Sequence, residues 1–139
     1  MTKLYITRHG QTEWNLEGRM QGRKDSKLTP RGEQQAMWLG ERLNDDEIDI
    51  IISSSSGRTI RTSEAIRGER NIEIIPNDNL REVHLGKWEG LLHIDIEKQW
   101  DKEYENFWKF PHLYKPAGGE TFLELLDRVS NEVEEIINQ

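Results

Sequence analysis

The chain has 139 residues, 19 Lys and Arg against 26 Asp and Glu, a formal net charge of −7, and no Cys. One domain with one core is the expectation for that length, and the missing cysteines exclude disulfide frameworks, Cys-type zinc sites and thiol nucleophiles. Leu, Ile, Val and Phe supply 33 residues, enough for a folded chain, yet no apolar run approaches the roughly 20 residues of a membrane span.

The first strand is predicted over residues 3–8 (Lys-Leu-Tyr-Ile-Thr-Arg), β-branched and aromatic residues ahead of a Gly. A helix follows, with Thr29 as N-cap, Pro30 at its first position, Ala36, Leu39 and Leu43 at helical spacing, and Asn44 and Asp45 closing it. The apolar run in residues 48–53 predicts a buried strand, Arg58–Arg67 a second helix, and residues 72–75 a third strand stopped by Pro76. Aromatic and charged residues fill 83–118, where a helix is expected near 91–108 and then a loop. The aromatics of 100–114 either pack the core or line a pocket. Phe122, Leu125, Leu126, Val129, Val133, Ile136 and Ile137 form one apolar stripe, which predicts a helix of about four to five turns. Strands alternating with helices imply right-handed crossovers, a parallel sheet and the α/β class.

Charge is spread unevenly. Residues 1–31 hold seven cations (Lys3, Arg8, Arg19, Arg23, Lys24, Lys27, Arg31) against three anions, whereas 32–139 hold twelve against twenty-three. A basic segment on an acidic chain draws small anions to one place, and the overall acid excess argues against general nucleic-acid binding. The first strand runs into Thr7-Arg8-His9-Gly10-Gln11-Thr12, where open α/β sheets place their ligands. Gly10 allows a sharp turn and a close backbone approach. His9 is a base, a metal ligand or a nucleophile. Metal is the weakest of these, since no carboxylate and His set at ligand spacing accompanies it. The adjacent Arg8 carries a rigid fork of donors suited to phosphate oxygens.

Arg8-His9-Gly10-Gln11-Thr12 with Trp14-Asn15 resembles the signature of the histidine phosphatase superfamily, which also contains the cofactor-dependent phosphoglycerate mutases. Four further pieces fall in that family's order: Gln21-Gly22-x-x-Asp25 with Leu28-Thr29-x-x-Gly32; Ser53-Ser54 with Arg58-Thr59 and Thr62-Ser63-Glu64-Ala65; Leu80-x-Glu82 with Leu85-Gly86-x-Trp88-Glu89-Gly90; and Gly118-Gly119-Glu120-Thr121-Phe122. The resemblance covers residues 3 to 138. It implies a three-layer α/β/α sandwich, phosphoglycerate mutase-like, with a mainly parallel central sheet.

By that resemblance His9 is the nucleophile that takes the phosphoryl group, and Glu82 the general acid and base. Arg8 and Arg58 clamp the phosphoryl oxygens, and Asn15, Gln21, Gly22 and Thr12 complete the phosphate site. Glu89 is read as structural, and His84, His93 and His112 match no catalytic position. No metal and no cofactor are expected, and the partner is a small phosphorylated metabolite in the cytoplasm, with no membrane and no nucleic acid.

One departure qualifies this. Family members carry a second essential His on a strand after the last helix, and the sequence stops at Gln139, so a C-terminally incomplete domain with impaired activity is expected, a partner-supplied strand or a degenerate relative being the alternatives. That strand's loss is expected to leave sheet backbone and the last helix's apolar stripe uncovered. Residues 89–139 hold twelve acids against five bases, which suits a phosphatase better than a mutase that must hold a bisphosphate. The Gly86-Lys87-Trp88-Glu89-Gly90 and Pro111-His112-Leu113-Tyr114 stretches look most like the bacterial broad-specificity phosphatases. A mutase, or an inactive relative that only binds phosphate ligands, is the alternative.

Overall fold

A computed structural model describes all 139 residues, which gather into two compact units. The first comprises Met1–Glu13 and Ser26–Arg81, the second Trp14–Asp25 and Glu82–Gln139. Helix α1 (Glu13–Glu17) carries the chain from one to the other.

In the first unit, helix α2 (Pro30–Arg42) begins where local chemistry dictates. The Thr29 hydroxyl accepts the Gly32 N–H at 3.0 Å, and Pro30 takes the first position, where a missing N–H breaks no bond. Strand β1 (Ile50–Ser54), helix α3 (Gly57–Arg67) and strand β2 (Glu73–Asn77) make a β-α-β unit. β1 and β2 run parallel, with Ile50 opposite Glu73 and Ser54 opposite Asn77, which bears out the α/β class. Pro76, expected to stop this strand, lies inside it opposite Ser53. In a two-stranded sheet each strand has an outer edge, where a residue without an N–H breaks no ladder bond. Helices α2 and α3 pack so closely that a Cβ on Gly40 would come within 2.7 Å of the Ile66 carbonyl oxygen. Arg70 ties the ends of both, donating to the Leu43 carbonyl at 2.9 Å and to that of Ile66 at 2.7 Å.

The strand predicted over residues 3–8 does not form. Strand conformation is stabilised by hydrogen bonds to a neighbour, and no strand lies beside this segment. Leu4, Tyr5 and Ile6 are exposed, and Asp46 anchors the start of the segment through the Tyr5 hydroxyl and Lys3.

The second unit is built around aromatic rings. Trp88, 1 % exposed, and Ile96, 0 % exposed, are packed with Met20, Val83, Leu85 and Tyr114. Ring centroids of Trp100, Tyr104, Phe107 and Tyr114 lie 5.2–6.3 Å from that of Trp88. Of the two readings of the 100–114 aromatics, these four therefore serve packing, while Trp108 and Phe110 are exposed. The single helix expected near 91–108 is two, α4 (His93–Gln99) and α5 (Asp101–Lys109). They break at Trp100, whose φ of −133° leaves the helical range as its ring packs on Trp88.

Helix α6 (Phe122–Asn138) starts with a reciprocal cap in which the Thr121 hydroxyl takes the Glu124 N–H and the Glu124 carboxylate takes the Thr121 N–H. Phe122 and Leu125 pack on the core. Leu126 and Ile137 of the apolar stripe are exposed, as is Leu123 beside it. No helix is long and apolar enough to cross a membrane.

Candidate active site

The predicted site residues fall in both units. In the first, His9 rides on a loop bolted to two helices. The Gly10 N–H donates to the Thr62 hydroxyl at 3.1 Å, and that hydroxyl donates to the Arg58 carbonyl at 2.7 Å. On the α2 side, the Gln11 N–H donates to the Gln35 side chain at 3.0 Å, and the Gln11 carbonyl accepts from Thr29 N–H at 2.9 Å. Glycines make this approach possible. A Cβ on Gly10 would lie 2.3 Å from the Gly32 carbonyl oxygen, and one on Gly32 would lie 2.0 Å from that of Gln11. Thr12 is fully buried and bridges Leu28.

The tautomer of His9 follows from a bond of its ring. Its Nδ1 lies 2.7 Å from the Gly10 carbonyl oxygen. A carbonyl only accepts, so Nδ1 carries the proton and the neutral ring keeps its lone pair on Nε2. Arg8, the preceding residue, is exposed. Arg58, the second residue of α3, is only 3 % exposed. Thr62, one turn further along α3, relays between Arg58 and the backbone that follows His9.

The second unit holds Asn15, Gln21, Gly22 and Glu82. Asn15 sits in α1, and its carbonyl accepts the Gly18 N–H at 3.3 Å. Gln21 is buried, and Gly22 takes a φ of 56° that favours glycine. A Cβ there would also meet a Glu89 carboxylate oxygen at 2.4 Å. Glu89 is buried and braces this loop. The same oxygen accepts the Arg23 N–H at 2.7 Å and the Leu85 N–H at 3.3 Å.

Glu82 is exposed, and its Oε1 accepts the Val83 N–H at 2.8 Å. Behind it stands a pair that the sequence reading missed. Arg128 of α6 donates from Nε to Glu120 at 3.0 Å and from Nη2 to the other Glu120 oxygen at 2.5 Å. Their side chains are 18 % and 12 % exposed, respectively. Burial pushes the Glu120 carboxyl up. The Arg128 hydrogen bonds, the His84 N–H and the charges of Arg128 and Arg23 outweigh it and hold the carboxyl below its ordinary value. The signal in the sequence was that Arg128 is the only cation in 120–139, among six acids.

The other histidines stand elsewhere. His93 packs on Tyr104 and Trp108, and burial lowers its pKa. No group of three or more His, Asp or Glu side chains is placed to hold a metal ion.

A histidine on a glycine loop and a buried arginine at a helix start are the main features of the first unit's part of the site. The family model for the histidine phosphatase superfamily (branch 1) matches residues 4–139, and the chain belongs to that family. It is 34% identical over 136 residues to phosphoserine phosphatase 1 of Hydrogenobacter thermophilus, covering 98% of this chain and 64% of that protein. It is 42% identical over 133 residues to a Salmonella choleraesuis protein named "Probable phosphoglycerate mutase GpmB", covering 93% and 60%. The solved structure of Bacillus stearothermophilus YhfR superposes with a TM-score of 0.93 at 46% identity, covering 95% of this chain and 65% of that one. The chain thus spans a little under two thirds of the length of these relatives.

Proposed function

We propose that the protein is a cytoplasmic phosphatase that hydrolyses small phosphate monoesters without a metal, through a phosphohistidine on His9. The observation that supports this is the His9 Nδ1 bond to the Gly10 carbonyl, which puts the proton on Nδ1 and leaves the lone pair of the neutral ring on Nε2. In the first step Nε2 attacks phosphorus, and the ester oxygen leaves with a proton from the Glu82 carboxyl. In the second, Glu82 takes a proton from water, the hydroxide attacks the phosphohistidine, and inorganic phosphate leaves as Nε2 regains its lone pair.

Phosphoryl transfer needs positioning and neutralisation of the equatorial oxygens more than covalent help. Arg58 suits that task. A cation gains nothing from the positive N-terminal end of a helix, whereas an anion brought there is attracted by both. Arg8, Asn15 and the Gln21–Gly22 loop are the further phosphate donors in this reading. Thr12, being buried, supports the loop that carries His9. The two units serve one catalytic domain, a reading supported by a family match that runs through both.

A mutase is the second reading, favoured by the 42% identity to the protein named as a phosphoglycerate mutase. The excess of acids over bases in 89–139 favours the phosphatase. The test is release of inorganic phosphate from p-nitrophenyl phosphate and phosphoserine in EDTA, beside a phosphoglycerate isomerisation assay. Phosphate release that persists in EDTA and is lost in His9→Ala is expected. Isomerisation without net release would replace the phosphatase by the mutase, and neither activity would leave the binding relative.

A further inference from the structure

We propose that Arg128 and Glu120 are positioning residues for Glu82, holding the peptide group that aims its carboxylate. The inference rests on the reading of Glu82 as the proton donor, and on a set of bonds around one peptide unit. The carbonyl of Glu82 accepts from Arg128 Nη2 at 3.1 Å. The N–H across the same peptide bond, that of Val83, donates to the Glu82 carboxylate at 2.8 Å. The plane of that peptide therefore sets where the carboxylate sits, and Arg128 fixes the plane from its other side. A donor on the carbonyl also strengthens the N–H as a donor, since linked hydrogen bonds polarise one another.

Glu120 secures the next residue at both edges. Its carboxylate accepts the His84 N–H at 2.9 Å, and its own N–H donates to the His84 carbonyl at 2.9 Å. The Val83 side chain between these anchors is buried. Gly119 lets the strands of chain meet, since a Cβ there would lie 2.1 Å from the His84 carbonyl oxygen. The pairs Lys3–Asp46, Arg19–Glu17, Arg42–Asp46, Arg61–Glu33, Arg61–Glu64, Lys102–Glu105 and Lys109–Glu105 each have at least one side chain much more exposed than either member of this one. Exposed pairs contribute little to stability, while a two-bond pair shielded from water holds its geometry. Both act in this proposal through the main chain of Glu82 and His84.

The experiment compares Arg128→Ala and Arg128→Lys with the parent on a series of phosphate monoesters of rising leaving-group basicity. A misaimed acid matters only where the leaving oxygen needs a proton. In Arg128→Ala, kcat is expected to fall about 10- to 100-fold for alkyl phosphates, and to stay within about twofold for 2,4-dinitrophenyl phosphate. Added methylguanidinium restores part of the loss, Arg128→Lys lies between, and Arg128→Ala adds nothing to Glu82→Gln. An equal loss across the series, or none, overturns the proposal.

The Val83 amide resonance gives a second readout that needs no turnover. In the parent its shift is expected to respond to Glu82→Gln, which changes the acceptor of its hydrogen bond. In Arg128→Ala that response is expected to collapse while Trp88 ring signals show an intact core. Should the parent hydrolyse no ester, the phosphatase reading fails and this amide alone decides. A lost response supports the positioning role, and an unchanged one overturns it.

Discussion

The two units mount their candidate catalytic groups by different physics. His9 is carried by close backbone packing and neutral hydrogen bonds, through Gly10, Gly32, Thr62 and Gln35. Glu82 is carried by a shielded ion pair and an aromatic core, through Arg128, Glu120 and the rings around Trp88. The difference suits the chemistry. A nucleophile must keep one nitrogen pointed at phosphorus, which steric contact does well. A proton donor must hold a flexible side chain in place on an exposed stretch, which needs bonds to the main chain on both sides.

The sharpest break in the comparison is Trp88→Ala. It removes the ring on which four others pack, and a loss of about 3–5 kcal/mol is expected, read by denaturant unfolding with the indole and phenol signals of the second unit. Next is Gly32→Ala. The added carbon would lie 2.0 Å from the Gln11 carbonyl oxygen, and backbone cannot yield as a side chain does. A loss of about 2–3 kcal/mol is expected, together with a disturbed His9 ring signal in NMR.

A finer probe is alkaline pH. Burial, with a contribution from the Glu103 charge, pushes the Tyr114 phenol up to about 12. The unfolded phenol gives up its proton near pH 10 and the folded one does not, so stability falls as pH rises through that window. The expected loss is about 2 kcal/mol between pH 10 and 12, measured by urea titration. Tyr114→Phe should erase it. At neutral pH that substitution should cost little, because the buried hydroxyl makes no hydrogen bond.

What the sequence made legible was local or periodic. Thr29-Pro30 announces a helix start because cap and first turn are settled within four residues, and the α6 stripe announces an amphipathic face. Residues 3–8 have strand composition, but a strand also needs a neighbour, and that is a fact about the fold rather than the segment. The break at Trp100 was hidden because the ring that draws the chain out of helix, Trp88, is twelve positions away. The candidate nucleophile and acid were reached through motifs in family order. Arg128 was not, because its meaning lies in a contact with the main chain 46 residues earlier. Being the lone base in an acidic helix, it was open to a charge-pattern reading.

The most direct test of the account is to look for the phosphoenzyme. The protein would be mixed with a phosphate monoester in EDTA, quenched in alkali, and mapped by peptide mass spectrometry and phosphorus NMR, beside His9→Ala and Glu82→Gln. An acid-labile, alkali-stable phosphoryl group on His9, absent from His9→Ala and longer-lived in Glu82→Gln, is the predicted result. A phosphoryl group that persists in His9→Ala would contradict the account.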